Sequence, residues 1–178
     1  MAAKRGVTQV LLIGGRAGVG KTTVAYAVSS RLAELAVAHC HVEGDNLDAA
    51  YPKPADDPQG SGLTEANLAA LWHNYRVRGY HRLIYVNTVS IIEPDLIIRA
   101  VGGSASVVSV LLTGADSIIE QRLKGREHGA ALDVHLERSR RATKVLEDRS
   151  PASTHRVPTD ERSPDEIAAE VVALTGWL

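Results

Sequence analysis

Gly15-Arg-Ala-Gly-Val-Gly20-Lys21-Thr22 matches the pattern G-x-x-x-x-G-K-[ST] at every fixed position. That pattern holds phosphate. Its glycines let the backbone turn successive N–H groups inward and approach an anion closely, where a side chain would intrude. A helix beginning at Lys21 would add the positive end of its dipole. Lys21 can then reach the outer phosphates of a nucleoside triphosphate, and the Thr22 hydroxyl is a hard oxygen suited to Mg²⁺. Gly15, Arg16, Ala17, Gly18, Val19, Gly20, Lys21, Thr22 and Thr23 are therefore the expected nucleotide contacts, with ATP and Mg²⁺ as cofactors.

Two further groups of residues have chemistry to offer. Glu43-Gly44-Asp45-Asn46 places two carboxylates close together. Asp45 beside a terminal phosphate can take the proton of an attacking hydroxyl or help to hold the metal, whereas the plain alternative is an ordinary Gly-Asp-Asn turn. Arg122 and Arg126 are four residues apart and share a helical face. One guanidinium can stack on a base while the other neutralises charge on the moving phosphoryl group; the alternative is a solvated face paired with Glu120 and Glu127. Arg138, Arg140, Arg141 and Lys144 lie among acids and read as a surface salt-bridged helix.

The elements that must position these residues follow from hydrophobic period. Gln9 to Ile13 is a continuous apolar run, as in a strand buried on both faces. Val24, Val28, Leu32 and Leu35 then recur at helical spacing over 21–35. His39 to Val42 is a second strand, which sets Asp45 at its carboxyl end, on the rim that carries the glycine loop. Residues 51–62, with three prolines and two glycines, read as a long irregular loop. A helix over 64–77 buries Leu68, Leu71, Trp72 and Tyr75. Leu83 to Val86 and Val107 to Leu112 are further strands, with a helix over 91–101 between them. Helices over 117–126 and 133–148 precede an edge-like strand at 156–159, where Pro158 cannot donate to a ladder. Ser163-Pro164-Asp-Glu opens the last helix. Strand and helix alternate five times without a repeat or linker, so residues 1–178 read as one α/β domain: a parallel sheet with helices on both faces.

The bulk composition agrees. With 178 residues, 44% hydrophobic and 23% charged, the chain is an ordinary globular one whose core must be aliphatic, since it has no Phe. A net charge of -1 gives no reason to expect nucleic acid or an anionic membrane as partner. One cysteine, Cys40, and the absence of a long apolar run make a soluble cytoplasmic protein the expectation. His39 and His41 flank Cys40, but in a strand they face one side and Cys40 the other, so the three cannot share a metal.

Gly15 to Thr23 with Glu43-Gly-Asp-Asn46 resembles the adenylylsulfate kinases. Arg122-Leu-Lys-Gly-Arg126-Glu-His128 and the length are closer to gluconate kinases. The tail Thr159-Asp-Glu-Arg-Ser-Pro164-Asp-Glu is similar to the turn that packs on adenine in shikimate kinases. Over nearly its whole length the chain thus resembles the small P-loop kinases of the nucleoside-monophosphate-kinase-like group. The resemblance implies a sheet of order 2-3-1-4-5 and a lid over about 125–133. It implies Arg122 and Arg162 on the adenine side, Lys21 and Arg126 acting on the phosphates, and Asp45 as the acid at the acceptor hydroxyl. The third strand ends in Asn87, where many P-loop enzymes carry a metal-organising Asp, so Thr22 and Asp45 are the expected metal contacts. The lid and substrate loop of adenylylsulfate kinases are not recognisable after Asn46, nor are the arginines that grip an acceptor phosphate in nucleoside monophosphate kinases.

These features imply phosphoryl transfer from ATP to a hydroxyl of a small molecule, with Glu43, Asp45, Asn46, Tyr51 and Arg78 as acceptor contacts. Asp48 and Arg76 are further candidates; the plain alternative for Arg76 and Arg78 is to cap the helix end, and Trp72 and Tyr75 are better read as core. His128 is the one histidine read into the site. The competing readings are a regulatory NTPase without a small acceptor and an adenylylsulfate kinase. No Asn-Lys-x-Asp guanine-reading motif is present.

Overall fold

The computed structural model describes residues 6–125 and 130–178. Five strands, β1 Gln9–Gly14, β2 Cys40–Glu43, β3 Arg82–Val86, β4 Ser106–Thr113 and β5 His155–Pro158, form one sheet of order β2-β3-β1-β4-β5. Every pairing is parallel. Central strand β1 is flanked on both sides, and Val10, Leu11, Leu12 and Ile13 are all buried, as the unbroken apolar run requires.

Helices cover both faces. Leu11 and Ile13 pack with Val24, Val28 and Leu32 of α1 (Lys21–Glu34), Ile119 of α4 (Asp116–Lys124) and Val171 of α6 (Pro164–Thr175). Val10 and Leu12 pack with Leu68 and Trp72 of α2 (Ser61–Arg76) and Ile97 of α3 (Pro94–Ala100). Trp72 is core, as read, with its indole N–H donating to the Val101 carbonyl at 3.1 Å. Leu71 and Leu35 are not: Leu71 turns outward on α2, and Leu35 lies just past the end of α1. α5 spans Ala130–Arg149. Among the described residues no helix is long and apolar enough to cross a membrane.

Local chemistry sets three boundaries. α2 starts at Ser61, three residues earlier than the hydrophobic period indicates. Asp57 holds its first turn, accepting from the Leu63 N–H at 2.9 Å; that bond, helped by the amides of Gly62, Ser61 and Gly60, holds this carboxyl below its usual range. The segment before α3 is a 3-10 turn, Ser90–Ile92, because a helix cannot run through Pro94 except from its first turn. α6 opens with a full capping box: Ser163 Oγ accepts from the Glu166 N–H, and the Glu166 carboxylate accepts from the Ser163 N–H. β5 is the edge strand that Pro158 calls for.

Candidate active site

All five strands run the same way, so their carboxyl ends share one rim, and β1 delivers the glycine loop to it. Gly18 has φ 84° and lies so close to α4 that a Cβ would stand 2.9 Å from Ile119 Cγ2 and Leu123 Cγ. Gly20, at φ 99°, is the left-handed residue that starts α1, and a Cβ there would meet nothing within 4 Å. One glycine seats the loop on the protein; the other turns it open toward a ligand.

The loop borders two clefts. One of about 380 Å³ runs over Gly18, Gly20, Lys21, Thr22 and Thr23 and is closed by His135 of α5. This suits a polyphosphate. The other, about 270 Å³, lies between Val19, Thr23 and the β5–α6 turn, with Arg122 and Arg162 on its edges. Arg122 donates to the carbonyls of Val19 (3.4 Å) and Thr159 (3.2 Å) and to Thr159 Oγ1 (3.2 Å), which fixes its guanidinium plane against this cleft. Arg162 is tied to the Pro158 carbonyl at 3.1 Å and to Glu170 at 2.7 Å. A planar base fits here, between an aliphatic floor that includes Val24 and Ile167 and the arginines.

Arg16 corrects the sequence reading in one respect. Its side chain is 8% exposed and turns away from the loop, donating to the Gly114 carbonyl at 3.0 Å and pairing with Asp116 at 2.6 Å. Only its backbone is available to a phosphate; the guanidinium braces the loop against the start of α4.

The two carboxylates have separate partners. Thr22 Oγ1 donates to Glu43 Oε2 at 3.3 Å, and the other oxygen of Glu43 lies 3.0 Å from His41 Nε2. His41 stands edge-on to the Tyr26 ring at 5.0 Å. Asp45 Oδ1 accepts from Asn87 Nδ2 at 2.6 Å, while Asn87 Oδ1 accepts from the Val89 N–H at 2.9 Å. Both ends of the Asn87 amide are thus committed, and it holds Asp45 in place. Glu43, which the sequence reading assigned to the acceptor, is the carboxylate that touches Thr22. Strand alternation carried the signal, since residues 41 and 43 share a face of β2.

Among the described residues no cluster of three His, Cys, Asp or Glu forms a metal cage. Thr22 and Glu43 nevertheless suit Mg²⁺, which takes few protein oxygens and completes its shell with phosphate and water. Lys21 Nζ donates to the Arg16 carbonyl at 3.3 Å. Burial holds its pKa below the usual 10.5, with Asp45 and Glu43 pulling the other way. Phosphate oxygens would supply the compensation that burial withholds.

Cys40 faces away from its flanking histidines, as strand alternation requires. Its thiol donates to the Arg82 carbonyl at 3.3 Å and is pushed up to about 12 by burial. His39 is bonded to Ser29 and the Val37 carbonyl.

A third cavity, about 110 Å³, opens beyond Asn87, among Asp48, Ser61, Thr64, Tyr85 and Glu93. Asn46 is exposed on the 3-10 turn Gly44–Asn46, and Tyr51 is 99% exposed. Neither lines this cavity. Arg78 is a correction. It follows α2, four residues before β3 begins, and so lies at the amino edge of the sheet, opposite the rim, bonded to the Asn74 carbonyl. Arg76 is held at the same edge by the carbonyls of Gly6 and Tyr80. Arg126 and His128 lie outside the described residues, as do positions 126–129 of the expected lid; from residue 130 onward the chain is α5. Tyr85, Glu93 and His135 were not legible as site residues, because each reaches the rim from an element whose pattern speaks only of packing or solvent.

Neither a protein-family model nor a curated protein sequence matches the chain. Solved structures do. The Deinococcus radiodurans tunicamycin resistance protein is similar at 19% identity and TM-score 0.63, over 95% of this chain and 96% of that one. A gluconokinase from Sinorhizobium meliloti 1021 is similar at 18% identity and TM-score 0.60, over 96% and 93%. The Mycobacterium tuberculosis APS kinase, solved with AMPPNP and APS, is similar at 20% identity and TM-score 0.57, over 94% and 97%. Identities this low speak for the fold alone. The chain has the single-domain α/β fold of the small P-loop kinases, with the order 2-3-1-4-5 that the resemblance implied and a complete phosphate-binding loop on its rim.

Proposed function

We propose that the chain is an ATP-dependent kinase that moves the terminal phosphoryl group of ATP to a hydroxyl of a small molecule. The observation that carries this reading is the placing of Asp45. It stands within electrostatic reach of Lys21, which lines the phosphate cleft, and is held by Asn87, which lines the third cavity. The expected steps are those of in-line transfer. The loop amides and Lys21 hold the phosphates, and Arg122 and Arg162 border the base. Mg²⁺, when bound through Thr22 with Glu43 beside it, neutralises charge on the outer phosphates. Asp45 accepts the proton of the acceptor hydroxyl as its oxygen bonds to the terminal phosphorus. The bond from that phosphorus to the bridging oxygen breaks, and ADP leaves. Arg126 completes the proposal as the lid arginine.

The alternative, a nucleotide-binding NTPase without an acceptor, predicts a different response. ATP turnover measured over a panel of hydroxylated acceptors is expected to rise with at least one of them, and Asp45→Asn to lower that stimulated rate roughly 10²-fold. Slow hydrolysis that ignores both the acceptors and the substitution would contradict the kinase reading.

A further inference from the structure

The cavity beyond Asn87 has a charge character that the phosphate cleft lacks. Tyr85, the fourth residue of β3, is 2% exposed, yet its phenol lines the cavity and makes no hydrogen bond with any described residue. Its side chain borders the space where an acceptor would sit, with the hydroxyl beside Gly44. Burial, and then the nearby charges of Asp45, Asp48 and Glu93, push its ionisation upward, so it stays a neutral donor and acceptor.

The same charges decide what can enter. Asp48 and Glu93 are on the cavity wall, and none of the residues lining it is Lys, Arg or His. Lys53 is nearby but committed, bonding to the carboxylate of Asp48 at 2.6 Å and to the Asp48 carbonyl. The Glu93 carboxylate is unpaired among the described residues. The amino end of α2, which otherwise would attract an anion, is already satisfied by Asp57. An anionic group in this cavity would meet the Glu93 carboxylate and an Asp48 whose Lys53 partner is already engaged.

Resting on the kinase reading above, we propose that the acceptor is a neutral or amine-bearing polyol, and that carboxylate-, sulfate- and phosphate-bearing molecules are excluded. Tyr85 and Thr64 bond its hydroxyls, Glu93 takes an ammonium group where one is present, and Asn87 keeps Asp45 beside the reacting hydroxyl. On this account the gluconokinase and APS kinase resemblances extend to the fold and the nucleotide site but not to the acceptor.

The test uses sorbitol, glucamine and gluconate, which differ only in whether the first carbon is a hydroxymethyl, an aminomethyl or a carboxylate. Steady-state ADP release is expected to give sorbitol and glucamine a kcat/KM about tenfold or more above gluconate. Glu93→Lys should shrink that ratio by lowering glucamine and raising gluconate, while ATP affinity measured by calorimetry stays the same. Glu93→Gln, a milder change at this exposed position, should lower glucamine alone. Gluconate turned over as well as sorbitol, or a ratio untouched by Glu93→Lys, overturns the charge selection and leaves the kinase reading standing. Normal ATP binding with no turnover of any of the three overturns both.

Discussion

Lys21 bears a cost in the unliganded protein. Its charge is buried against the Arg16 carbonyl, and the attraction of Asp45 and Glu43 does not make up for the lost hydration. Its folded pKa lies below the unfolded 10.5, so the unfolded chain binds more protons between the two values and stability rises with pH across that window. Lys21→Met is therefore expected to raise the melting temperature of the ligand-free protein near pH 7, on a scale of about 2–4 °C per kcal/mol relieved. The gap from wild type should close as the pH approaches 10.5, and ATP should protect only the wild type. A variant that melts lower at neutral pH, or a gap independent of pH, would contradict this. The same residue shows why a sequence reads well at this scale and then stops. Gly15 to Thr22 states its chemistry in its residue types, but Glu43 and Asp45 are two carboxylates whose roles depend on direction. Only the pairings Thr22–Glu43 and Asn87–Asp45 separate them, and Arg16 needed its buried contact with Gly114 to leave the phosphate side.

The turn from β2 into the 3-10 segment Gly44–Asn46 joins the two sites. A Cβ on Gly44 would overlap Tyr85 Oη, stand 2.6 Å from Cζ, and lie 3.0 Å from the Val86 carbonyl. β2 and β3 are paired through Glu43 and Val86, so the turn cannot move off without breaking that register. Gly44→Ala should thus push the Tyr85 ring out of place, at a cost of about 1–3 kcal/mol from overpacking. The acceptor KM is expected to rise while the ATP dissociation constant holds; an equal loss of both would place the damage in the phosphate loop instead. Elements of this kind were mostly legible from period and caps, because burial on one face and a Ser-Pro-Asp-Glu start each leave a local trace. The early start of α2 was not, since it depends on Asp57 reaching forward from an irregular loop to the Leu63 amide.

At the scale of the whole molecule, the alternation of strands and helices already called for a parallel sheet whose carboxyl ends form one functional rim. The phosphate half of that rim is contiguous in sequence and was legible for that reason. The cavity proposed for the acceptor is lined by Asp48, Thr64, Tyr85, Asn87 and Glu93, on four separate segments, and no spacing rule brings those together. What the cavity accepts is consequently a property of the folded chain. A kinase of this kind sends the phosphoryl group of ATP to a carbon-bound hydroxyl rather than to water, and ³¹P NMR of a reaction containing ATP, Mg²⁺ and sorbitol reads this directly. A new phosphomonoester resonance that grows as ADP forms, and that is lost with Asp45→Asn, is the predicted result. Inorganic phosphate as the sole product, formed at the same rate with and without the polyol, would contradict it.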